Sequence, residues 1–319
     1  MSCDISIIIP VHNTSSYLER CFNSVFANIT EFSYELIVVD DASTDGSLKK
    51  LYEIEASKPA NCKIDITHLS ENIGVQKARF VGLEKVNSEL VFFLDSDDEL
   101  SDSFIEKTVT KMRDEKLDIL LINSLVISDK ESFNLISKSS FGHAMQYGAH
   151  LEGLLFGDFG FICSHVFKTD LLKHIDLDSL PHLVFMEDLN LYLEITRENS
   201  PKTGYLNENL YKYYQNKKWH VEKMTEQKSD DSIYVIKKRY EETKEHFPEY
   251  LDLWKRANLN TVLRLIHSVK KTNNISKQDK KRIVNNIYSY DFINEVIKIS
   301  FKQFMKLSMK DKIRYILYK

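Results

Sequence analysis

The sequence predicts an α/β fold in which a mostly parallel β-sheet is flanked by helices and followed by an α-helical C-terminal region. Over the first 125 residues, short apolar runs rich in β-branched side chains alternate with segments of helical periodicity. Apolar strands that alternate with helices are typical of a parallel sheet covered on both faces. From residue 230 onward the periodicity is helical throughout. These two observations predict the fold class.

The predicted strands are short runs dominated by Ile, Val, Leu and Phe, and the predicted helices repeat apolar side chains every three to four residues. In such sheets ligands bind outside the carboxyl ends of the strands, so a functional site is expected there. The predicted strands are Ile5–Pro10, Glu35–Asp40, Ile64–Leu69, Leu90–Leu94 and Ile119–Ile122. The predicted helices between them are Tyr17–Phe26, Ser47–Glu55 and Val75–Val86.

The polar run Gln227–Asp231 is predicted to be a linker between two domains, residues 1–226 and residues 227–319. The second domain is expected to be helical because its apolar residues keep the helical spacing. Its predicted helices are Tyr234–His246, Leu251–Lys270, Lys277–Tyr288 and Phe292–Lys319.

The composition excludes a disordered chain, since 43% of the residues are hydrophobic and 28% are charged. The four cysteines are far apart and form no C-x-x-C pair, which indicates reduced thiols and a cytoplasmic protein. The apolar run Ile5–Ile9 lacks a basic flank and ends at Pro10, so a strand rather than a signal peptide is expected. No apolar run reaches about 18 residues, so no transmembrane helix is expected.

The net charge of −4 is unevenly distributed along the chain. Residues 1–251 hold 27 Lys and Arg against 42 Asp and Glu (−15), and residues 252–319 hold 16 against 5 (+11). The C-terminal end interleaves apolar and basic side chains, a pattern that suits peripheral binding to an anionic membrane surface, here the inner face of the membrane. It equally suits packing against the acidic part of the chain. No nucleic-acid-binding module is recognisable, so nucleic acid is not a predicted partner.

Three carboxylates, Asp95, Asp97 and Asp98, directly follow the apolar run Val91–Leu94. Neighbouring carboxylates repel one another unless a cation or solvent relieves the repulsion. A hard divalent cation that also binds phosphate oxygens is the natural partner. The alternative is that Asp97 or Ser101 caps the helix that follows.

Polar residues also follow the first two predicted strands. Pro10, His12 and Asn13 precede a helix, and the backbone amides of such a strand-to-helix turn can face a nucleotide. Asp41 can accept a hydrogen bond from a base or a ribose hydroxyl. The alternative for both segments is turn and capping chemistry, and a lone histidine such as His12 is more often structural than a ligand contact.

Taken together, the motifs resemble those of glycosyltransferase family 2, over about residues 4–215. Their order is P-V-x-N, V-V-D-D-x-S-x-D-x-S, E-N-x-G-x-x-x-A-R-x-x-G, D-x-D-D and E-D. The resemblance implies a GT-A fold and transfer with inversion at the anomeric carbon. It further implies that residues 1–100 form the nucleotide-sugar half and residues 101–226 the acceptor half.

The resemblance also implies roles for individual residues. The nucleotide-sugar ligands would be Pro10, His12, Asn13, Asp41, Gly74, Arg79, Asp95 and Ser96. The metal ligands would be Asp95, Asp97 and His220, although the sequence leaves open whether Asp97 or Asp98 binds directly, and a loop histidine at 220 is also ordinary. The cofactor would be Mn²⁺ or Mg²⁺.

The E-D motif supplies the remaining chemistry of an inverting transfer, which needs a base to take the acceptor proton. By the resemblance, Asp188 is that base and Glu187 contacts the acceptor. The alternative is that both acids favour the positive end of a helix dipole.

The function implied is transfer of a hexosyl or N-acetylhexosaminyl group from a UDP-sugar to a hydroxyl of a glycan or polyprenyl-linked acceptor. The setting would be bacterial capsule, lipopolysaccharide or related surface-polysaccharide synthesis. A sugar-nucleotide pyrophosphorylase is one alternative. In such enzymes a Gly-rich, basic loop follows the first strand, and this sequence has no such loop after its first predicted strand. A catalytically silent carbohydrate-binding or assembly subunit is the other.

Overall fold

The computed structural model describes residues 3–60, 62–128, 131–135, 146–157, 160–197, 201–215 and 224–298. The chain forms two compact units, each built from three separate segments of sequence. The first unit comprises Met1–Ala149, Phe161–His182 and Glu194–Asn216. The second comprises His150–Gly160, Leu183–Leu193 and Lys217–Lys319.

The described elements, in chain order, are β1 (Ile5–Val11), α1 (Leu18–Phe26), β2 (Tyr34–Asp40), α2 (Ser47–Ser57), β3 (Lys63–His68), α3 (Val75–Leu83), β4 (Leu90–Phe93), β5 (Glu99–Leu100), α4 (Phe104–Asp114), β6 (Ile119–Ile127), β7 (Ser132–Asn134), α5 (Ala149–Leu155), β8 (His165–Lys168), α6 (Thr169–Lys173), α7 (Glu187–Arg197), β9 (Thr203–Tyr214), α8 (Glu226–His246), α9 (Leu251–Lys271), α10 (Lys277–Ser289) and α11 (Asp291–Ile297).

The first unit is built on one mixed sheet with the strand order β3-β2-β1-β4-β8-β6-β9-β5, and β7 pairs with β6. Strands β3, β2, β1 and β4 are parallel, so their carboxyl ends lie at one edge. At that edge Val11 is in register with Asp40, and Asp40 with His68. Strand β8 runs antiparallel between β4 and β6, and β9 is parallel to β6.

The five predicted strands correspond to β1, β2, β3, β4 and β6, and the α/β class is confirmed. Among the described strands, the other four, β5, β7, β8 and β9, were not predicted. The short β8 reads His-Val-Phe-Lys, which gives too brief an apolar run to separate a strand from a loop. β9 carries the polar run Asn207–Asn209 between its tyrosines and was not assigned as a strand.

The core of the first unit lies on both faces of the parallel strands. All seven residues of β1 and of β2 are buried, as expected for strands covered by helices on both sides. Helix α3 approaches β1 closely at Gly82, where an added Cβ would lie 2.6 Å from Ile8 Cγ2. Helix α1 buries one apolar stripe, formed by Leu18, Cys21, Phe22 and Val25.

The predicted linker at Gln227–Asp231 is wrong, because these residues form the first turns of α8. The helix begins after Thr225, whose side chain accepts a hydrogen bond from the backbone N–H of Lys228 and caps it. Asp231 is buried, and its Oδ2 accepts the backbone N–H groups of Val184 at 2.8 Å and Phe185 at 3.1 Å. Asp231, one of the polar residues that suggested a linker, is therefore held by hydrogen bonds inside the second unit.

The second unit packs its helices around aromatic side chains. The ring of Tyr240 lies 5.3 Å from Trp254 in an edge-on arrangement and 5.3 Å from Phe292 in a stacked one. Helix α11 buries Phe292, Ile293, Val296 and Ile297, so the start of the basic C-terminal end is part of this core. Among the described helices, none combines the length and apolar character needed to span a membrane.

Candidate functional site

The loop after β1 is held to the loop after β2 by polar contacts. His12 Nδ1 lies 2.6 Å from the main-chain oxygen of Asp41, so Nδ1 carries the proton and donates it. The side-chain amides of Asn13 and Asn72 approach His12 Nε2 at 2.9 and 3.0 Å. Asn13 adopts a φ of +54° and accepts the N–H of Thr44. These contacts join three loops at the carboxyl edge of the sheet.

Asp41 lies at the centre of this loop cluster. Its Oδ1 accepts the backbone N–H of Ile73 at 2.7 Å, and its Oδ2 accepts that of Gly74 at 2.9 Å. The side chain is 2% exposed. In this arrangement Asp41 fixes the loop that leads into α3, and its proposed contact with the base stays a prediction.

Helix α3 brings Gly74 and Arg79 to the same edge. Gly74 has a φ of +86°, and a side chain there would lie 3.2 Å from His182. Arg79 is buried, and its Nη2 donates to Asp95 Oδ1 at 2.8 Å. Arg79, predicted as a nucleotide-sugar ligand, is therefore paired with the first carboxylate of the D-x-D-D motif.

The D-x-D-D motif, Asp95–Asp98, forms a turn at the end of β4, in which the N–H of Asp98 donates to the carbonyl of Asp95 at 3.0 Å. Asp95 and Asp97 are partly buried. Ser96 is buried, and its hydroxyl lies 2.9 Å from that of Thr14 in the loop after β1. The motif is thereby joined to the His12–Asn13 loop.

Asp98 points into the protein rather than toward the strand ends. Its Oδ2 accepts the hydroxyl of Tyr211 at 2.6 Å, and its Oδ1 accepts the N–H of Tyr214 at 2.8 Å. Burial, followed by repulsion from the carboxylates of Asp95 and Asp97, raises the pKa of Asp98 to about 9. Both oxygens of Asp98 are thus committed to β9.

The donor set of this turn fits a divalent cation. Burial is the largest cause of the raised pKa of Asp98, and the repulsion from Asp95 and Asp97 that adds to it is what a bound cation would relieve. Within the described residues, no group of three or more His, Cys, Asp or Glu side chains is arranged around one point. Mg²⁺ in proteins is commonly held by one or two carboxylates, with waters and substrate phosphates completing the coordination. Asp95 and Asp97 satisfy that requirement.

Helix α1 contributes residues that the sequence analysis did not identify. Arg20 and Ser24 lie four residues apart in α1, and Asn28 lies two residues beyond its end. Arg20 donates to the carbonyl of Asp97, Ser24 Oγ accepts the N–H of Leu100 at 3.0 Å, and Asn28 Nδ2 donates to the carbonyl of Ser101 at 3.0 Å. In the sequence, the polar residues Arg20, Ser24 and Asn28 recur every four positions beside the apolar residues of α1, and this spacing could have identified them.

The E-D motif lies in the second unit. Glu187 and Asp188 are half-buried in the first turn of α7, directly after Met186, which has a φ of +61°. His220 lies outside the described residues.

The structure brings most of the predicted donor-site residues to one edge of the first unit. They are Pro10, His12, Asn13, Asp41, Gly74, Arg79 and the Asp95–Asp98 turn.

Comparison with known proteins agrees with these motifs. Glycosyltransferase GlyA from Streptococcus pneumoniae is 26% identical over 210 residues, which cover 65% of this chain and 28% of GlyA. An uncharacterized glycosyltransferase from Haemophilus influenzae is 30% identical over 198 residues, covering 61% of this chain and 72% of that protein. The chain therefore spans less than a third of GlyA and nearly three quarters of the Haemophilus protein.

The fold comparison points the same way. Poly(ribitol-phosphate) beta-N-acetylglucosaminyltransferase TarS from Staphylococcus aureus is 24% identical over 210 residues, covering 65% of this chain and 35% of TarS. The crystal structure of TarS residues 1–349 in complex with UDP-GlcNAc matches this chain with a TM-score of 0.54 at 17% identity. That match covers 99% of this chain and 79% of the crystallised one. It confirms the predicted GT-A fold class.

The sequence profile named Glycosyl transferase family 2 matches residues 6–169, more than half of the chain. This range contains the loops after β1 and β2, the Asp41-bound start of α3 and the Asp95–Asp98 turn. The chain belongs to glycosyl transferase family 2.

Proposed function

We propose that the protein transfers a hexosyl or N-acetylhexosaminyl group from a UDP-sugar to an acceptor hydroxyl, with inversion at the anomeric carbon and with Mn²⁺ or Mg²⁺ as cofactor. The observation that carries the proposal is the Asp95–Asp98 turn at the carboxyl edge of the sheet, beside the loops after β1 and β2 and the start of α3. Membership of glycosyl transferase family 2 supports it.

On the donor side, the nucleoside would lie against Pro10, His12, Asn13 and Asp41. His12 Nε2 and the side-chain amide of Asn72 contact each other at the open edge of the sheet. Both groups can exchange this contact for one to a base. Arg79 supplies a buried positive charge near Asp95, where the diphosphate and ribose are proposed to bind. Gly74 keeps the backbone accessible to the ligand.

Asp95 and Asp97 would hold the cation, with Asp97 rather than Asp98 as the direct ligand. Asp98 already accepts two hydrogen bonds from β9, whereas the Asp97 side chain is only half-buried. When bound, the cation supplies electrostatic stabilisation of the negative charge that develops on the leaving diphosphate. The carboxylates of Asp95 and Asp97 would contribute by holding the cation in position.

Asp188 is the proposed general base, and Glu187 the proposed acceptor contact. The family resemblance supports these roles, and the partly buried position of both acids in the first turn of α7 is compatible with them. A base on the acceptor side removes the hydroxyl proton as the new glycosidic bond forms.

The proposed acceptor is a glycan or polyprenyl-linked glycan of bacterial surface-polysaccharide synthesis. The similarity to TarS, a poly(ribitol-phosphate) beta-N-acetylglucosaminyltransferase, supports this class. The basic C-terminal end suits a lipid-linked substrate presented at the inner face of the membrane.

The test is a thermal-shift panel of UDP-, GDP-, dTDP- and CMP-sugars, each with and without Mn²⁺. Ligand binding to the folded state raises Tm by an amount that grows with the ratio of ligand concentration to Kd. We expect UDP-sugars to stabilise the protein most, and the stabilisation to require Mn²⁺. Stabilisation by another nucleotide class would overturn the UDP assignment, and stabilisation independent of metal would overturn the cofactor.

The matched variant for this panel is Asp97→Asn, which removes one charge and keeps the side-chain size. It should lose the Mn²⁺-dependent part of the shift and all measurable transfer, while its Tm without ligand stays close to wild type. A silent carbohydrate-binding subunit would instead show no metal-dependent hydrolysis of any sugar nucleotide in the wild-type protein.

A further inference from the structure

The guanidinium of Arg20 is fixed by three different kinds of contact. Its Nη2 donates to the carbonyl oxygen of Asp97, and its Nε lies 3.0 Å from Glu99 Oε1. Its Cζ lies 3.6 Å from the centroid of the Tyr214 ring, a cation–π distance. A planar group with forked donors is suited to making all three contacts at once.

The residues on either side of Asp97 are anchored independently. The Asp95 carboxylate pairs with Arg79, and the Asp95 carbonyl lies 3.8 Å from Cys21 Sγ. The Asp98 carboxyl group accepts hydrogen bonds from Tyr211 and Tyr214. Arg20 supplies the contact to the main chain between these anchors, and Glu99 is further held by Lys212 at 3.1 Å.

An aspartate carboxylate is separated from its main chain by only two torsion angles, so fixing the carbonyl of Asp97 limits where its carboxylate can lie. The guanidinium of Arg20 contacts Glu99, the Tyr214 ring and the Asp97 carbonyl, so its position is set by neighbouring protein groups. A role through the backbone of Asp97 fits its geometry.

We infer that Arg20 is a positioning residue that holds the Asp97 carboxylate in place for the divalent cation of the donor site. The inference rests on the proposed function, since it takes Asp97 as the metal ligand. Partners that orient metal ligands contribute about 10–100-fold to metal affinity in other proteins. A contribution of that size is expected from Arg20.

The experiment titrates Mn²⁺ into the full chain with UDP as the probe and measures UDP binding by calorimetry. Arg20→Gln removes the charge and the stacked plane, and we expect it to raise the Mn²⁺ concentration needed for half-maximal UDP binding by about 10–100-fold. UDP binding in EDTA should match wild type. Arg20→Lys keeps a charge for Glu99 but lacks the planar fork, so an intermediate shift is expected.

Arg113 provides a matched control. Arg113 pairs with Asp4 and Glu89, whereas Arg20 pairs with Glu99, and the Cζ of Arg113 lies 5.3 Å from the centroid of Phe32. Its side chain is 38% exposed, against 36% for Arg20. Both acids precede strands, β1 and β4, so Arg113 lies at the amino edge of the sheet. Arg113→Gln should lower Tm and leave the Mn²⁺ dependence unchanged.

The outcomes separate the inference from the proposed function. Equal Mn²⁺ dependence in Arg20→Gln and Arg113→Gln, at equal loss of Tm, would overturn the positioning role. Loss of UDP binding in Arg20→Gln both with and without Mn²⁺ would also overturn it, because the effect would then be on the nucleotide or the fold. If wild type binds UDP without any effect of Mn²⁺ or of Asp97→Asn, the proposed metal site fails and the inference with it.

Discussion

Three adjacent carboxyl groups in the turn after β4 differ in what surrounds them. Asp95 meets a buried arginine, Asp98 meets two donors from β9, and Asp97 has its main chain held by Arg20 while its side chain is half-buried. The sequence D-x-D-D does not reveal this division, because the partners come from α1, α3 and β9. Residues distant in sequence decide which aspartate is suited to a cation.

Asp188 leads to a prediction about the chemical step. Asp188→Asn keeps the side-chain size and removes the proton-accepting charge, so turnover should fall by about 10²–10⁴-fold. The affinity for the nucleotide, measured by calorimetry with UDP, should remain within about twofold of wild type. Loss of a favourable charge in the first turn alone would cost only about 0.3–1 kcal/mol of stability.

Glu187→Gln is the matched control for Asp188→Asn, since it removes the neighbouring charge on the same helical turn. It should weaken acceptor binding more than it slows turnover. Near wild-type turnover in Asp188→Asn, together with a severe loss in Glu187→Gln, would reverse the proposed roles of the two acids.

His165 predicts the behaviour of the fold in acid. It is fully buried in the central strand β8, and burial lowers its pKa to about 4. Between that value and the ordinary 6.5, the unfolded chain binds a proton that the folded chain does not, so stability falls as the pH falls. From pH 8 to pH 5 this group should remove about 2 kcal/mol of stability.

The measurement is urea denaturation at pH 8 and pH 5 for wild type and His165→Asn. The asparagine amide can replace Nδ1 as the donor to the carbonyl of Phe161, which lies 3.0 Å from Nδ1, and it does not titrate. The variant should lose about 2 kcal/mol less than wild type over this range. Equal losses in the two proteins would place the acid sensitivity elsewhere.

Among the elements, α3 shows why a glycine inside a helix is needed. A Cβ at Gly82 would lie 2.6 Å from Ile8 Cγ2, so Gly82→Ala should push α3 away from β1 and destabilise the fold by about 1–3 kcal/mol. In an ordinary helix interior the same change would stabilise by about 0.5–1 kcal/mol. The change in the free energy of unfolding therefore has opposite signs in the two cases, and urea denaturation measures it.

A double-mutant cycle with Ile8→Ala identifies the cause. Removing the Ile8 side chain makes room for the new methyl group, so Gly82→Ala should cost less in that background by at least about 0.5 kcal/mol. Additive effects would show that the contact with Ile8 is not what Gly82 relieves.

The elements also show what the sequence can predict and why. The parallel strands were predicted because each is a continuous apolar run between amphipathic helices, a local property of the chain. β8 was not predicted, since its four residues carry a buried histidine and a lysine. The start of α8 was assigned to a linker because Asp231 looks like a solvated charge until its backbone partners are known. The D-x-D-D motif was found by its residue types, whereas Arg20 required the contact itself.

For the whole molecule, the uneven charge predicts membrane binding by the C-terminal end. Residues 299–319 lie outside the described part of the chain and hold six Lys and Arg against one Asp. Each basic residue near an anionic surface contributes about 1 kcal/mol. A chain ending at Lys298, which keeps the packed α11, should therefore bind phosphatidylglycerol vesicles at least about tenfold more weakly, as measured by sedimentation.

As a first control, the shortened chain should keep the Tm and the UDP binding of the full chain. As a second, both proteins should bind neutral phosphatidylcholine vesicles only weakly. If the two proteins bind anionic vesicles equally and the shortened one has a lower Tm, the alternative of packing against the acidic part of the chain is favoured instead.

The bond between Asp231 and the amides of Val184 and Phe185 has a consequence for any attempt to divide the protein. A fragment cut after residue 226 would leave those amides without their carboxylate acceptor. The chain also passes between the two units at five points, so the C-terminal helices are only one part of the second unit. A chimaera that borrows these helices from a relative would have to borrow residues 150–160 and 183–193 with them, and with the latter the E-D motif.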